Sequence, residues 1–178
     1  SKGSFSAALL AAGGLLQLLD EVMAGRVRRG FAMVRPPGHH AERNLAMGFC
    51  YFNNVAIGAR YLQQEYGVEK VCIIDFDVHH GNGTQHIFEE DPSVFFFSVH
   101  QSPLYPGTGS HYELGEGEGT GFTLNVPMPM GAGDGHYLPV LQRLLIPASL
   151  ALAALGGLGA ALLTRRLANS WLRYGMFA

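Results

Sequence analysis

The chain has 178 residues, 48% of them apolar, which is enough for one domain with a buried core. Its formal net charge is −2 with histidine neutral, and its basic residues are scattered apart from a short cluster at Arg26, Arg28 and Arg29; no basic stripe suited to direct nucleic-acid binding is present. The only two cysteines, Cys50 and Cys72, lie in apolar runs and read as small buried hydrophobes in a reducing setting; a chain of this size needs no disulfide framework, and two thiols cannot make a four-thiolate zinc site.

Ser6 to Ala24 reads as an amphipathic helix, with Leu9, Leu10, Leu15, Leu16 and Leu19 near helical spacing and Gly25 closing it. Gly30 to Val34 (GFAMV) is an apolar run ahead of Pro36 and Pro37, expected to be a buried strand that stops at the prolines. Asn53 or Asn54 caps a helix running to Tyr66, and Gly67 ends it. Val71 to Asp75 (VCIID) and Val94 to Val99 (VFFFSV) are apolar without alternation, the mark of parallel strands covered on both faces. Between them Thr84 to Glu90 suits a short helix. Pro103 to Gly121 is a glycine-rich loop, and Phe122 to Val126 a further strand.

The last part differs in character. No Asp or Glu occurs from Gly135 onward, and Leu144 to Leu163 is uncharged between Arg143 and the pair Arg165, Arg166. Two readings stand side by side: a core helix cut short, or a membrane segment, since about 20 uncharged residues can span a bilayer. Pro147 and the glycines at 156, 157 and 159 weigh against a regular helix. The chain therefore divides into 1–143 and a divergent apolar segment, 144–178. Starting at Ser1 without a signal peptide, it is read as bounded by fragment ends.

The densest chemical signal is Asp75-Phe76-Asp77-Val78-His79-His80-Gly81-Asn82-Gly83, where a buried strand runs out. In an extended chain side chains share a face every second residue. Asp75, Asp77 and His79 are thus expected on one side and His80 on the other, and two carboxylates with an imidazole suit a divalent cation. Open parallel sheets place their ligands in the crevice at these strand ends. Arg35-Pro36-Pro37-Gly38-His39-His40 supplies a second signal, adjacent imidazoles suited to acid–base work. His86, His100, His111 and His136 lie outside such clusters and read as surface or packing residues.

Taken together, RPPGHHA, MGFCYFNN, IIDFDVHHGNGTQHIF, FFFSVHQSPLYPGTG and GFTLNVPM resemble the histone deacetylase family, in its class II, bacterial amidohydrolase and acetylpolyamine amidohydrolase branch. The resemblance runs from Ser4 to Pro147. It implies an arginase/deacetylase-like three-layer α/β fold with a mainly parallel sheet, truncated at both ends. It also implies a zinc-dependent hydrolase that removes acetyl groups from lysine side chains of histones or other proteins, or from acetylpolyamines. By the same resemblance Asp77 and His79 match zinc ligands, and His39 and His40 match the tandem histidines, His40 being the general base and acid. Asp75 matches the carboxylate that orients His39, and Asn82 stands where the partner of His40 lies. Gly48 and Phe49 match the floor and one wall of a substrate channel, with Tyr105 the opposite wall. Asp75, Asp77, His79, Ser98 and Val99 match a structural potassium site. A cytoplasmic location is expected, with the nucleus open for a eukaryotic source.

Two family elements have no counterpart. The third zinc ligand, an aspartate in an SAGFDAH-like segment, and the tyrosine of a GGY turn are both missing; Asp134 and Tyr174 match neither. The family's rim residues would precede Ser1. A second reading is therefore an inactive or non-catalytic member, binding acetylated ligands or associated with a membrane.

Overall fold

Asn53 accepts a hydrogen bond from the Ala56 N–H at 3.1 Å and so caps a helix over Asn54–Tyr66 (α2), while Gly67, at φ 63°, takes the left-handed turn that ends it. Ahead of it runs α1 (Ser4–Met23), and after it α3 (Asn82–Phe88). The computed structural model describes residues 3–143 and the backbone of 176–177. Three strands, β1 (Val71–Asp75), β2 (Val94–Gln101) and β3 (Thr123–Met128), pair in parallel in the order β3-β2-β1. A two-residue strand, β4 (Met176–Phe177), pairs in parallel on the other edge of β1.

The pleat of these strands sorts two cores. Val71, Ile73, Val94 and Phe96 face one side with Leu19, Val55, Ala59, Leu62 and Phe88 from the helices. Ile74, Phe97, Val99 and Met128 face the other, against Tyr137, Val140 and Leu141 of a helical stretch at 134–143. Burial on both faces explains why the strands are apolar at successive positions. Each large side chain buried here contributes about 1.5–3 kcal/mol.

Two expectations need correction. The apolar run GFAMV is not a strand: Phe31 and Met33 are 84% and 86% exposed, and residues 26–34 join no ladder. A strand needs a partner for its backbone N–H and C=O groups. In the described sheet both edges of β1 are already paired, by β2 and β4. On α1, Leu9 and Leu10 lie outside the core, at 50% and 75% exposure. The inward stripe is buried at Ala8, Ala11, Ala12 and Leu19 and half-buried at Leu15 and Leu16, which follows the 3.6-residue period more closely than the leucines alone do.

The Leu144 to Leu163 segment, with its core-helix and membrane alternatives, lies outside the described residues, as does Tyr174.

Asn53 links this scaffold to the loop ahead of it, since its Nδ2 donates to the Ala41 carbonyl at 3.2 Å and to Thr84 Oγ1 at 3.1 Å. Replacing it with alanine removes the cap and strands a buried carbonyl. Asn53→Ala is expected to lower unfolding free energy by about 2–3 kcal/mol in urea titrations, whereas Leu10→Ser stays within about 0.5 kcal/mol of the parent.

Candidate active site

β1 delivers Asp75 to the carboxyl edge of the sheet, in register with Ser98 of β2, which is in turn level with Asn125 of β3. All three side chains are buried. Beyond Asp75 the chain does not continue as a strand. Asp75 Oδ1 accepts the Asp77 N–H at 3.1 Å, and Asp77 Oδ1 accepts the His79 N–H at 2.7 Å. Two successive side-chain-to-backbone turns thus replace the extended geometry expected from the sequence. The outcome is still a cluster: His79 Nδ1 lies 3.0 Å and His39 Nε2 4.0 Å from Asp77 Oδ1. His80 is turned away and fully buried.

The loop carrying His39 and His40 is held from three sides. Asn54 Nδ2 donates to the Pro36 carbonyl, Thr84 N–H to the His39 carbonyl, and Asn53 Nδ2 to the Ala41 carbonyl. So anchored, the imidazoles sit with ring centroids 4.1 Å apart. His39 Nδ1 donates to Asp75 Oδ2 at 2.8 Å, and His40 Nδ1 to Asn82 Oδ1, also at 2.8 Å. The His40 ring stands 5.9 Å from that of His79.

Their electrostatics diverge because the partners differ. Burial presses the His39 pKa down, but the hydrogen bond and charge of Asp75, with Asp77 beyond, outweigh it, and the net shift is upward. Burial lowers His40, the neighbouring His39 and His79 lower it further, and the hydrogen bond to a neutral Asn82 raises it too little to offset them, so it lies below the ordinary histidine value. One imidazole favours its proton and the other gives it up, an arrangement suited to acid–base chemistry.

An aromatic side chain stands against His40. The Tyr105 ring lies edge-on to His40 at 5.0 Å and to His79 at 6.2 Å. Also beside His40, a tight turn closed by the Cys50 N–H to the Met47 carbonyl places both Gly48 and Phe49 at positive φ, 56° and 63°. Gly48 packs so closely that a β-carbon there would overlap the His40 ring. Phe49 is 91% exposed, so a bulky residue holds a left-handed backbone with no burial in return.

Behind the cluster runs a buried polar network that the sequence did not disclose. His80 Nδ1 meets Thr108 Oγ1 at 2.7 Å and its Nε2 meets Gln85 Oε1 at 2.9 Å. Gln85 donates to Glu113, whose carboxylate also accepts the Gly109 and Ser110 N–H groups. His100 bonds Ser98 Oγ and the Gly109 carbonyl. These bonds fasten the loop that bears Tyr105 to the strand ends. Glu42 was also missed: its Oε1 accepts from Asn82 and from His86, linking His86 through two hydrogen bonds to the site residue Asn82 rather than leaving it on an idle surface. Its partners lie forty or more positions away, so no spacing rule would have found it.

Donor chemistry for a metal is present in part. Asp77 and His79 are of the kinds that hold zinc, which takes tetrahedral N, O and S ligands. Among the described residues, no group of three or more His, Cys, Asp or Glu side chains is arranged to hold an ion. Of the residues matched to potassium, Asp75 and Ser98 are level across the sheet, Ser98 Oγ is engaged with His100, and the Val99 side chain packs in the second core.

Comparison with known proteins gives one result throughout. A family model described as the histone deacetylase domain matches residues 1–152. The chain is 48% identical over 145 residues to a probable deacetylase of Archaeoglobus fulgidus, covering 82% of this chain and 40% of that protein. It is 48% identical over 151 residues to polyamine deacetylase HDAC10 of Rattus norvegicus, covering 81% of this chain and 26% of that one. The crystal structure of the HDA15 HD domain is similar with a TM-score of 0.73 at 46% identity, over 82% of this chain and 43% of that chain. The chain spans less than half the length of each of these relatives.

Phe49→Asn, which accepts a left-handed backbone readily, is expected to stabilise the fold by about 1 kcal/mol in urea titrations while removing the exposed Phe49 ring. The buried network sets an acid limit. Burial, followed by the charge of His100, pushes the His80 pKa from the ordinary 6.5 down to about 4. The unfolded chain therefore takes up this proton first; stability is complete above about 6.5 and falls as pH drops toward about 4. Urea midpoints measured across that window should decline in the parent and decline less in His80→Gln; parallel curves would assign the acid sensitivity to other groups.

Proposed function

Because this chain belongs to the histone deacetylase family, we propose that its site hydrolyses the acetyl amide of N-acetylated amines, with Asp77 and His79 holding zinc. The observation that carries this reading is the unequal pair: two imidazoles in contact, one bonded to a carboxylate and the other to a carboxamide, within reach of Asp77 and His79. A zinc ion there would polarise the acetyl carbonyl and lower the pKa of a water to about 7. His40 takes a proton from the attacking water, and a histidine returns one to the leaving nitrogen as the C–N bond breaks, giving acetate and a free amine. Asp75 holds the His39 ring in place through Nδ1.

The substrate proposed is the side chain of an acetylated lysine or an acetylated polyamine. Both have an apolar stem ending in an acetamide, which suits an approach between Phe49 and Tyr105 over the Gly48 turn. The name of the rat relative, a polyamine deacetylase, supports the second class of substrate. With the family's third zinc ligand and its tyrosine missing from this sequence, weaker metal binding and a lower rate than in full-length relatives are expected. Loss of one charge-stabilising donor costs about 100- to 1000-fold.

Incubating the chain with zinc and either an acetyl-lysine peptide or an N-acetylated polyamine, and measuring acetate, tests the proposal. Release that stops on chelation and falls at least about 100-fold in His40→Ala is expected. One zinc per chain with no hydrolysis, or hydrolysis indifferent to His40, would refute it.

A further inference from the structure

Glu42 lies two residues beyond His40, with its side chain 17% exposed. Its Oε1 is 2.5 Å from Asn82 Nδ2 and 2.9 Å from His86 Nδ1. On the same side of the Asn82 amide, Met47 Sδ stands 3.3 Å from Nδ2. A carboxylate and a thioether accept hydrogen bonds and donate none. The amide end that faces them is therefore its NH2 group, and the end that faces His40 is its oxygen.

The consequence reaches the His40 ring. Asn82 Oδ1 lies 2.8 Å from His40 Nδ1 and carries no hydrogen, so Nδ1 must supply one. In a neutral imidazole the hydrogen sits on one nitrogen only, which leaves Nε2, across the ring, as the basic atom. An aspartate at position 82 would impose this tautomer through either of its oxygens. An asparagine has one accepting and one donating end, and something else must decide which end meets the histidine.

We infer that Glu42 is a positioning residue: by fixing which way the Asn82 amide faces, it selects the His40 tautomer whose Nε2 can take a proton. Its other contact, His86, donates to the same Oε1 and holds the carboxylate toward Asn82. The inference rests on the proposed role of His40 as the base, but the tautomer can be read without turnover.

The test is long-range 1H–15N correlation on the zinc-free, 15N-histidine-labelled 178-residue chain at pH 8, with His40 signals assigned by their loss in His40→Ala. The parent should show a single Nδ1–H tautomer. In Glu42→Lys the residue only donates, so the amide turns over and the His40 hydrogen should move to Nε2. In Glu42→Gln/Asn82→Asp the glutamine donates to a carboxylate that accepts from either side, and Nδ1–H should return. An Nδ1–H tautomer unchanged in Glu42→Lys overturns the inference. Should that variant fail to fold, Glu42→Ala is expected to give a mixture of tautomers, and an unchanged single one overturns the inference equally.

Activity separates this from the reading beneath it. In a preparation that hydrolyses acetyl-lysine peptide, Glu42→Lys should lower kcat at least about 100-fold with KM held, and the double variant should recover most of it. A tautomer that switches as described in a chain with no hydrolysis under any condition supports the positioning role and counts against the deacetylase reading alone.

Discussion

A carboxylate buried at the end of a parallel strand is the constraint around which the rest is arranged. Asp75 is fully buried, and an ionised carboxylate in that position is costly unless its oxygens are occupied. One oxygen receives the His39 ring and the other the Asp77 backbone. The first bond draws in the loop that carries both histidines; the second starts the turn that brings Asp77 and then His79 round to meet them. Satisfying one buried charge thus assembles the cluster from two distant segments.

Support for this arrangement comes mainly from asparagine, threonine and backbone groups rather than from ion pairs. Asn53, Asn54 and Thr84 pin the loop over Pro36 to Ala41 onto α2 and α3, and every one of these bonds is made to a backbone carbonyl or N–H. Such groups must be paired when buried, so the helices fix the histidine loop as a by-product of ordinary backbone satisfaction. Glu113 does the same for the loop that bears Tyr105 by collecting two backbone N–H groups and the Gln85 amide. The histidine loop and the tyrosine loop therefore share a single rigid base at the strand ends.

At the open side the balance is reversed. Phe49 holds a left-handed backbone while remaining almost wholly exposed, and Gly48 is required beside it by the closeness of the His40 ring. Strain without burial is uneconomical for folding and is characteristic of surfaces kept for contact. The polar chain from His86 through Glu42 and Asn82 to His40 likewise adds little that a core would need, yet it settles the orientation of an amide that packing alone leaves ambiguous.

What the sequence determined by itself is local. The bounds of VCIID, the Asn53 cap and Gly67 stop of α2, and the grouping of Asp75, Asp77 and His79 follow from short-range chemistry that adjacent residues carry in full. The family was likewise legible, because its motifs are contiguous. Tertiary structure alone decided the fate of GFAMV, which has a strand's composition but pairs with no described strand, and the exposure of Leu9 and Leu10, which no other described element covers. It alone decided that Asp75 meets the loop of His39 and that Glu42 meets Asn82. The physical reason is the same in each case: a hydrogen-bond partner or a covering surface comes from another part of the chain, and linear spacing does not encode which part folds back to supply it.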